Sequence, residues 1–237
     1  MEPSTLEKAT VGEIVTADYR TAQVFTAHDI DFCCGGNIPL ATICAEKGLD
    51  IDQIIQELQA VQQKSGERSP NYGAWSLSFL ADYIVNTHHV YLKENDDQIV
   101  AYAQKTAAVH GKNHQELIEI AALFAKVAAD MAIHLKEEEE VFFPAVKRAE
   151  AARTAGLTPD TTDQQIIRTS LTNLYQEHEE IGDAVHTIRH LAKNFAIPED
   201  ACNTFRVTYQ KLMGFEEDLH KHVHLENNIL FPKAAHL

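Results

Sequence analysis

The chain has 237 residues, enough for one large or two small domains, and 45% of them are apolar, far above the range of disordered chains. Acidic residues outnumber basic ones by 35 to 20, and the net charge of −15 repels phosphate backbones and anionic lipids, which speaks against nucleic-acid and membrane-surface binding. No apolar run reaches the ~20 residues that span a bilayer, and the first eight residues have neither the basic nor the apolar region of a signal peptide. The expected location is therefore the cytoplasm, with the four cysteines reduced.

Few glycines and prolines, and many Ala, Leu, Glu, Gln and Lys, favour helices. Residues 1–62 read as a small N-terminal helical domain. Thr10 caps a helix from Val11 to Phe25, and His28-Asp-Ile-Asp-Phe-Cys-Cys-Gly-Gly-Asn37 breaks it. A short helix from Pro39 to Lys47 and another opened by Asp50 follow, the latter with Ile51, Ile54, Ile55 and Leu58 on one face. Residues 63–74 have linker chemistry.

Residues 75–237 carry four long amphipathic patterns, at about 76–95, 112–150, 162–194 and 199–235, with 96–111 as a short connecting helix. They predict an antiparallel four-helix bundle, and no segment alternates as a strand does, so the expected fold class is all-α.

An eleven-residue pattern occurs twice. His134-Leu-Lys-Glu-Glu138-Glu-Glu-Val-Phe-Phe143-Pro144 returns as His222-Val-His-Leu-Glu226-Asn-Asn-Ile-Leu-Phe231-Pro232. In each copy His and Glu stand four residues apart, on one helix face and one turn from each other. An imidazole and a carboxylate stacked this way on an inward stripe form half of a dinuclear metal site, and the repeat supplies the other half. The first and third bundle helices add His88 and His178 to their inward stripes. Four imidazoles (His88, His134, His178, His222) and two carboxylates (Glu138, Glu226) suit a pair of borderline cations such as iron, with the carboxylates and an oxo or hydroxo group as bridges.

The neighbouring polar residues are expected to do less. His89 points about 100° away from His88 on a regular helix. Glu137, Glu139 and Glu140 read as a solvated run, while His186, His190, His220 and His224 read as outward-facing. Cys202 reads as a small packing residue at a helix start. Adjacent Cys33 and Cys34 do not complete a tetrahedral zinc site, even with Cys44 as a third thiol. In a Gly-rich loop the pair is either exposed and nucleophilic or incidental to the loop.

The combination of Cys33-Cys34-Gly35-Gly36, Asn86-Thr-His88-His89, His134-x-x-x-Glu138, Glu177-His178 and His222-x-x-x-Glu226-Asn-Asn-x-Leu-Phe-Pro resembles the RIC (repair of iron centres; ScdA/YtfE/DnrN) family over nearly the whole chain. That family joins a short Cys-Cys domain to a hemerythrin-like domain. The resemblance implies a non-haem di-iron centre and a stress protein that repairs iron-sulfur clusters damaged by nitric oxide or peroxide, by donating iron. The alternatives are a nitric oxide reductase and a sensor or carrier of nitric oxide or oxygen. It implies a role for Cys33 and Cys34 in thiol redox chemistry, electron supply or iron handling. The implied partners are damaged iron-sulfur proteins and small gases, and the Cys-Cys unit either pairs two chains as a homodimer or folds onto its own bundle. The oxygen-carrying hemerythrins have a second His one turn after the third-helix ligand, where this chain has Gly182. A less saturated iron fits a reactive or iron-donating centre better than an oxygen store.

Overall fold

The computed structural model describes residues 3–63 and 69–237, so positions 64–68 of the expected linker lie outside the described residues. Among the described residues there is no strand, only an isolated bridge between Thr10 and Pro39. None of their helices is long and apolar enough to cross a membrane. The chain is all-α and divides into two compact units, Met1–Leu80 with His220–His236, and Ala81–Leu219 with Leu237.

The first unit begins with α1 (Pro3–Leu6) and α2 (Val11–Ala17). Thr10 and Glu13 form a reciprocal capping box at the start of α2, which satisfies two amide donors that the helix itself cannot. The expected single helix to Phe25 is interrupted. Asp18 takes an extended conformation and its side chain accepts from Arg20 N, so the chain re-enters through a 3-10 turn, Tyr19–Thr21, before α3 (Ala22–Ala27). α4 (Leu40–Lys47) stops at Gly48, whose φ of 65° is left-handed, and α5 (Ile51–Gln63) buries Ile54, Ile55, Leu58 and Val61. Two loop-to-helix bonds, Gly12 N to Gly36 O at 2.7 Å and Val11 N to Ile38 O at 3.0 Å, seat the Cys-Cys loop on the start of α2.

The second unit is a four-helix bundle. α6 (Leu77–Ile84) leads through a π turn, Val85–His89, into α7 (Val90–His110). Residues 96–110 thus prolong a bundle helix rather than forming a separate connecting one. α8 (Glu116–Glu137) passes through a second π turn, Glu138–Phe142, into α9 (Phe143–Thr154), and α10 (Thr161–Leu191) follows. α11 (Asn203–Leu225) comes next; its last residues, with a third π turn (Glu226–Leu230) and α12 (Phe231–Ala234), belong to the first unit.

α7 packs on α8, and α8 and α9 on α10. The part of α11 in this unit joins them through three contacts. Thr208 meets Thr106 at 2.7 Å, Phe215 meets Phe124 with ring centroids 4.9 Å apart, and Glu216 accepts two 2.6 Å bonds from Arg189. Phe124, Phe142, Phe205 and Phe215 are fully buried, and each such ring is a large part of the apolar burial that drives packing. After α10, Lys193, Asn194 and Phe195 all take left-handed φ of 50–57°, a costly turn for residues with a Cβ.

Candidate metal centre

Among the described residues, all three π turns sit at polar residues singled out by the sequence. Val85–His89 ends on the paired histidines, while Glu138–Phe142 and Glu226–Leu230 each begin at the glutamate of a His-x-x-x-Glu motif. A π turn accommodates one residue more than an α turn, so the residues after it rotate by about 100° around the axis.

That rotation decides between the two adjacent histidines. A regular helix carries Ile84 into register with His88, whereas across the π turn the inward position passes to His89. His89 Nε2 lies 3.3 Å from Glu138 Oε2, and both side chains are fully buried. His88 instead directs Nδ1 to Asp218 Oδ1 at 2.9 Å and packs edge-on against Tyr83. The structure thus brings His89, not the expected His88, to Glu138.

Within the second unit the remaining expected residues converge. His134 Nε2 is 3.4 Å from the same Glu138 oxygen, so one carboxylate oxygen stands close to two imidazoles from different helices. His178 Nε2 approaches His134 Nε2 at 3.1 Å. All four side chains are at most 2% exposed.

Two carboxylates hold the outer edges of these rings. His89 Nδ1 donates to Glu139 Oε1 at 2.8 Å, and that carboxylate also takes Lys93 Nζ at 2.6 Å. His134 Nδ1 donates to Glu177 Oε2 at 2.7 Å. A proton fixed on Nδ1 leaves the Nε2 lone pair of each ring facing Glu138. Glu139 therefore does not belong to a solvated run. It backs a ring, and its glutamate identity alone could not reveal this.

In the first unit the second motif repeats the geometry. His222 Nε2 lies 3.1 Å from Glu226 Oε1, and neither is exposed. The turn after Glu226 binds the Cys-Cys loop. Asn228 Nδ2 donates to Cys33 O at 3.1 Å and Phe32 O at 3.4 Å, and Asn227 Nδ2 donates to Cys33 O at 3.4 Å. His224, expected to face outward, is buried against Phe32 and Tyr19, and burial lowers its pKa to about 4. A Cβ on Gly36 would stand 2.5 Å from Asn228 Oδ1 and 2.6 Å from Phe32 O, so this glycine is what admits the Asn228 side chain.

Inside the loop, Asp31 accepts from Cys33 N, Cys34 N and Gly35 N at 2.8, 3.0 and 2.8 Å. Cys33 is buried and Cys34 half-exposed, and all four cysteines are thiols. The Cys34 thiol, burial and the Asp31 charge together push the Cys33 thiol well above its ordinary range. Cys202 is exposed rather than packed. Backbone N–H groups at the start of α11 and His110 Nε2, 3.1 Å away, draw its pKa down to about 7.

The chemistry of this donor set fits a cation. Imidazole nitrogens and carboxylate oxygens converge in buried places, where such charge is costly unless compensated. Cations of the iron and zinc kind take these ligand types.

Comparison with known proteins agrees with this donor set. Residues 80–234 match the model of the hemerythrin HHE cation-binding domain. Residues 7–62 match that of the ScdA N-terminal domain, described as of unknown function. The iron-sulfur cluster repair protein ScdA of Staphylococcus epidermidis is 30% identical over 226 residues, 95% of this chain and 97% of that protein. The chain belongs to the ScdA/YtfE family of hemerythrin-like proteins. ScdA of Staphylococcus haemolyticus is 31% identical over 225 residues, with 95% and 97% covered. The iron-sulfur cluster repair protein YtfE of Yersinia pestis is 30% identical over 224 residues, with 94% and 95% covered. Membership in the ScdA/YtfE family accords with both the Cys-Cys unit and the cation-binding helices, and buried His/Glu clusters compatible with a bound metal lie in the hemerythrin-like region.

Proposed function

We propose that this protein repairs iron-sulfur clusters damaged by nitrosative or oxidative stress. In this reading non-haem iron would be held by His89, His134, Glu138 and His178 of the second unit and by His222 and Glu226 of the first, with two ions per chain. The observation that carries it is the position of Glu138 Oε2, 3.3 Å from His89 Nε2 and 3.4 Å from His134 Nε2. A buried carboxylate close to imidazoles of two helices would suit it to holding a cation inside a helical bundle. When bound, the irons supply redox chemistry and a source of iron for a damaged cluster.

The chain's own residues set the terms of that chemistry. Glu139 and Glu177 hold the His89 and His134 rings with Nε2 inward and raise their basicity. Leu135, Phe142 and Phe143 are buried, and the Phe143 ring stacks on His89 with centroids 5.8 Å apart. Gly182 supplies no side-chain donor on α10 one turn beyond His178, which favours exchange of iron over its permanent retention. The proposed partners are damaged iron-sulfur proteins, with nitric oxide as a gas ligand.

The test adds iron-loaded protein to a cluster enzyme inactivated by nitric oxide. Recovery of activity that the Glu226→Leu variant does not give supports repair. Recovery no better than with that variant overturns it, and nitrous oxide released catalytically with an electron donor would make the protein a reductase instead.

A further inference from the structure

The donor that stands beside the cysteine pair is a carboxylate, Asp31, rather than a third thiol. Cys33 Sγ lies 3.1 Å from Asp31 Oδ1 and 4.0 Å from Cys34 Sγ. One donor atom from each of the three residues falls within a single 4.8 Å neighbourhood. Two thiolates arranged tetrahedrally around one zinc-sized ion at ~2.3 Å stand about 3.8 Å apart, close to the separation seen here.

We propose that Asp31, Cys33 and Cys34 form a second metal site, a two-sulfur, one-oxygen set for a soft or borderline divalent cation. The loop is built for it in three respects. Its three amide bonds to Asp31 fix the carboxylate against both thiols. Asn227 and Asn228 tether the Cys33 carbonyl to the turn that starts at Glu226. Cys34 is half-exposed, so the ion has a way in.

Binding replaces protons with metal. Two metal–sulfur bonds and one metal–oxygen bond form, the two S–H protons pass to solvent, and the S–H···O contact between Cys33 and Asp31 is exchanged for a bridging ion. Three protein ligands leave a fourth position open, the pattern of an exchanging site rather than a closed structural one. A role as a station for iron on its way to a cluster rests on the reading above. Metal binding itself does not.

Cobalt(II) separates the two. The full-length, metal-free protein is titrated anaerobically with thiols reduced. Thiolate ligands give an intense near-ultraviolet charge-transfer band, whereas histidine and carboxylate ligands give only weak visible bands. Wild type is expected to show both. The Cys33→Ser/Cys34→Ser variant should lose the charge-transfer band and keep the visible ones, and Asp31→Asn should weaken cobalt binding at this band by at least about tenfold.

Helical circular dichroism checks that each variant folds, and Cys34→Ser alone serves if the double variant does not. Visible bands without a charge-transfer band in wild type would overturn the proposal, as would a band that survives replacement of Cys33 and Cys34. Failed cluster repair with the band intact would count against the repair reading and leave this site standing.

Discussion

His89 Nε2 lies 3.3 Å from Glu138 Oε2, while its neighbour His88 points to Asp218 at 2.9 Å. Adjacent histidines on one helix therefore have separate tasks, assigned by the π turn that ends at His89. Replacing His89 by Gln is expected to lower metal affinity by more than about 100-fold, because it removes a proposed ligand rather than a group that only supports one. His88→Gln should retain the metal. Metal content after equilibrium dialysis distinguishes them, and equal loss in both variants would contradict the assignment.

Glu177 and Glu139 hold the outer nitrogens of His134 and His89. Glu177→Gln keeps the side chain's shape but weakens the charge-assisted bond. Metal affinity should fall about 10–100-fold with the fold unchanged. A competition assay with a chromophoric chelator reads this directly.

Asp96 should make stability fall as pH rises. Burial, with Asp97 and Asp218 nearby, pushes its carboxyl up to about 7. Between the ordinary carboxylate range and about 7, the folded protein holds a proton there that the unfolded chain has lost. Stability attached to this proton is full at low pH and is lost as pH climbs through that window. Asp96→Asn should therefore raise the unfolding midpoint above pH ~7.5 and matter less below pH ~5. Thermal unfolding at both ends of the range, followed by circular dichroism, provides the check.

Gly36 admits Asn228 because it has no Cβ. An alanine there meets Phe32 O, which is backbone and cannot swing away. Gly36→Ala is expected to cost about 1–3 kcal/mol in urea unfolding. Because the same bonds position the Cys-Cys loop, Cys33 should also become more accessible to alkylation.

The all-α fold, and the convergence of several residues of the candidate site, were legible in the sequence because both follow helical periodicity. His134 with Glu138 and His222 with Glu226 each span the last turn before a π turn begins, where the i,i+4 rule still holds, and the structure pairs them at 3.4 and 3.1 Å. His178 followed from the apolar stripe of α10, which runs unbroken from Thr161 to Leu191. His89 did not follow, because the period of 3.6 fails across a π turn and no residue type announces one. Glu139 and Glu177 were hidden for another reason. A carboxylate that supports a ring has the same sequence appearance as a solvated one. Asp31 was out of reach because its closeness to both thiols depends on loop bonds with no period at all. The bend at Asp18, which splits the first expected helix, is likewise a local side-chain choice.

The most direct measurement is iron content per chain, on full-length protein purified anaerobically from iron-replete cells. About two irons per chain are expected, as for a dinuclear carboxylate–histidine centre, with clear depletion in the His89→Gln variant. No iron in the wild type, with helices intact and no uptake on reconstitution, would contradict it.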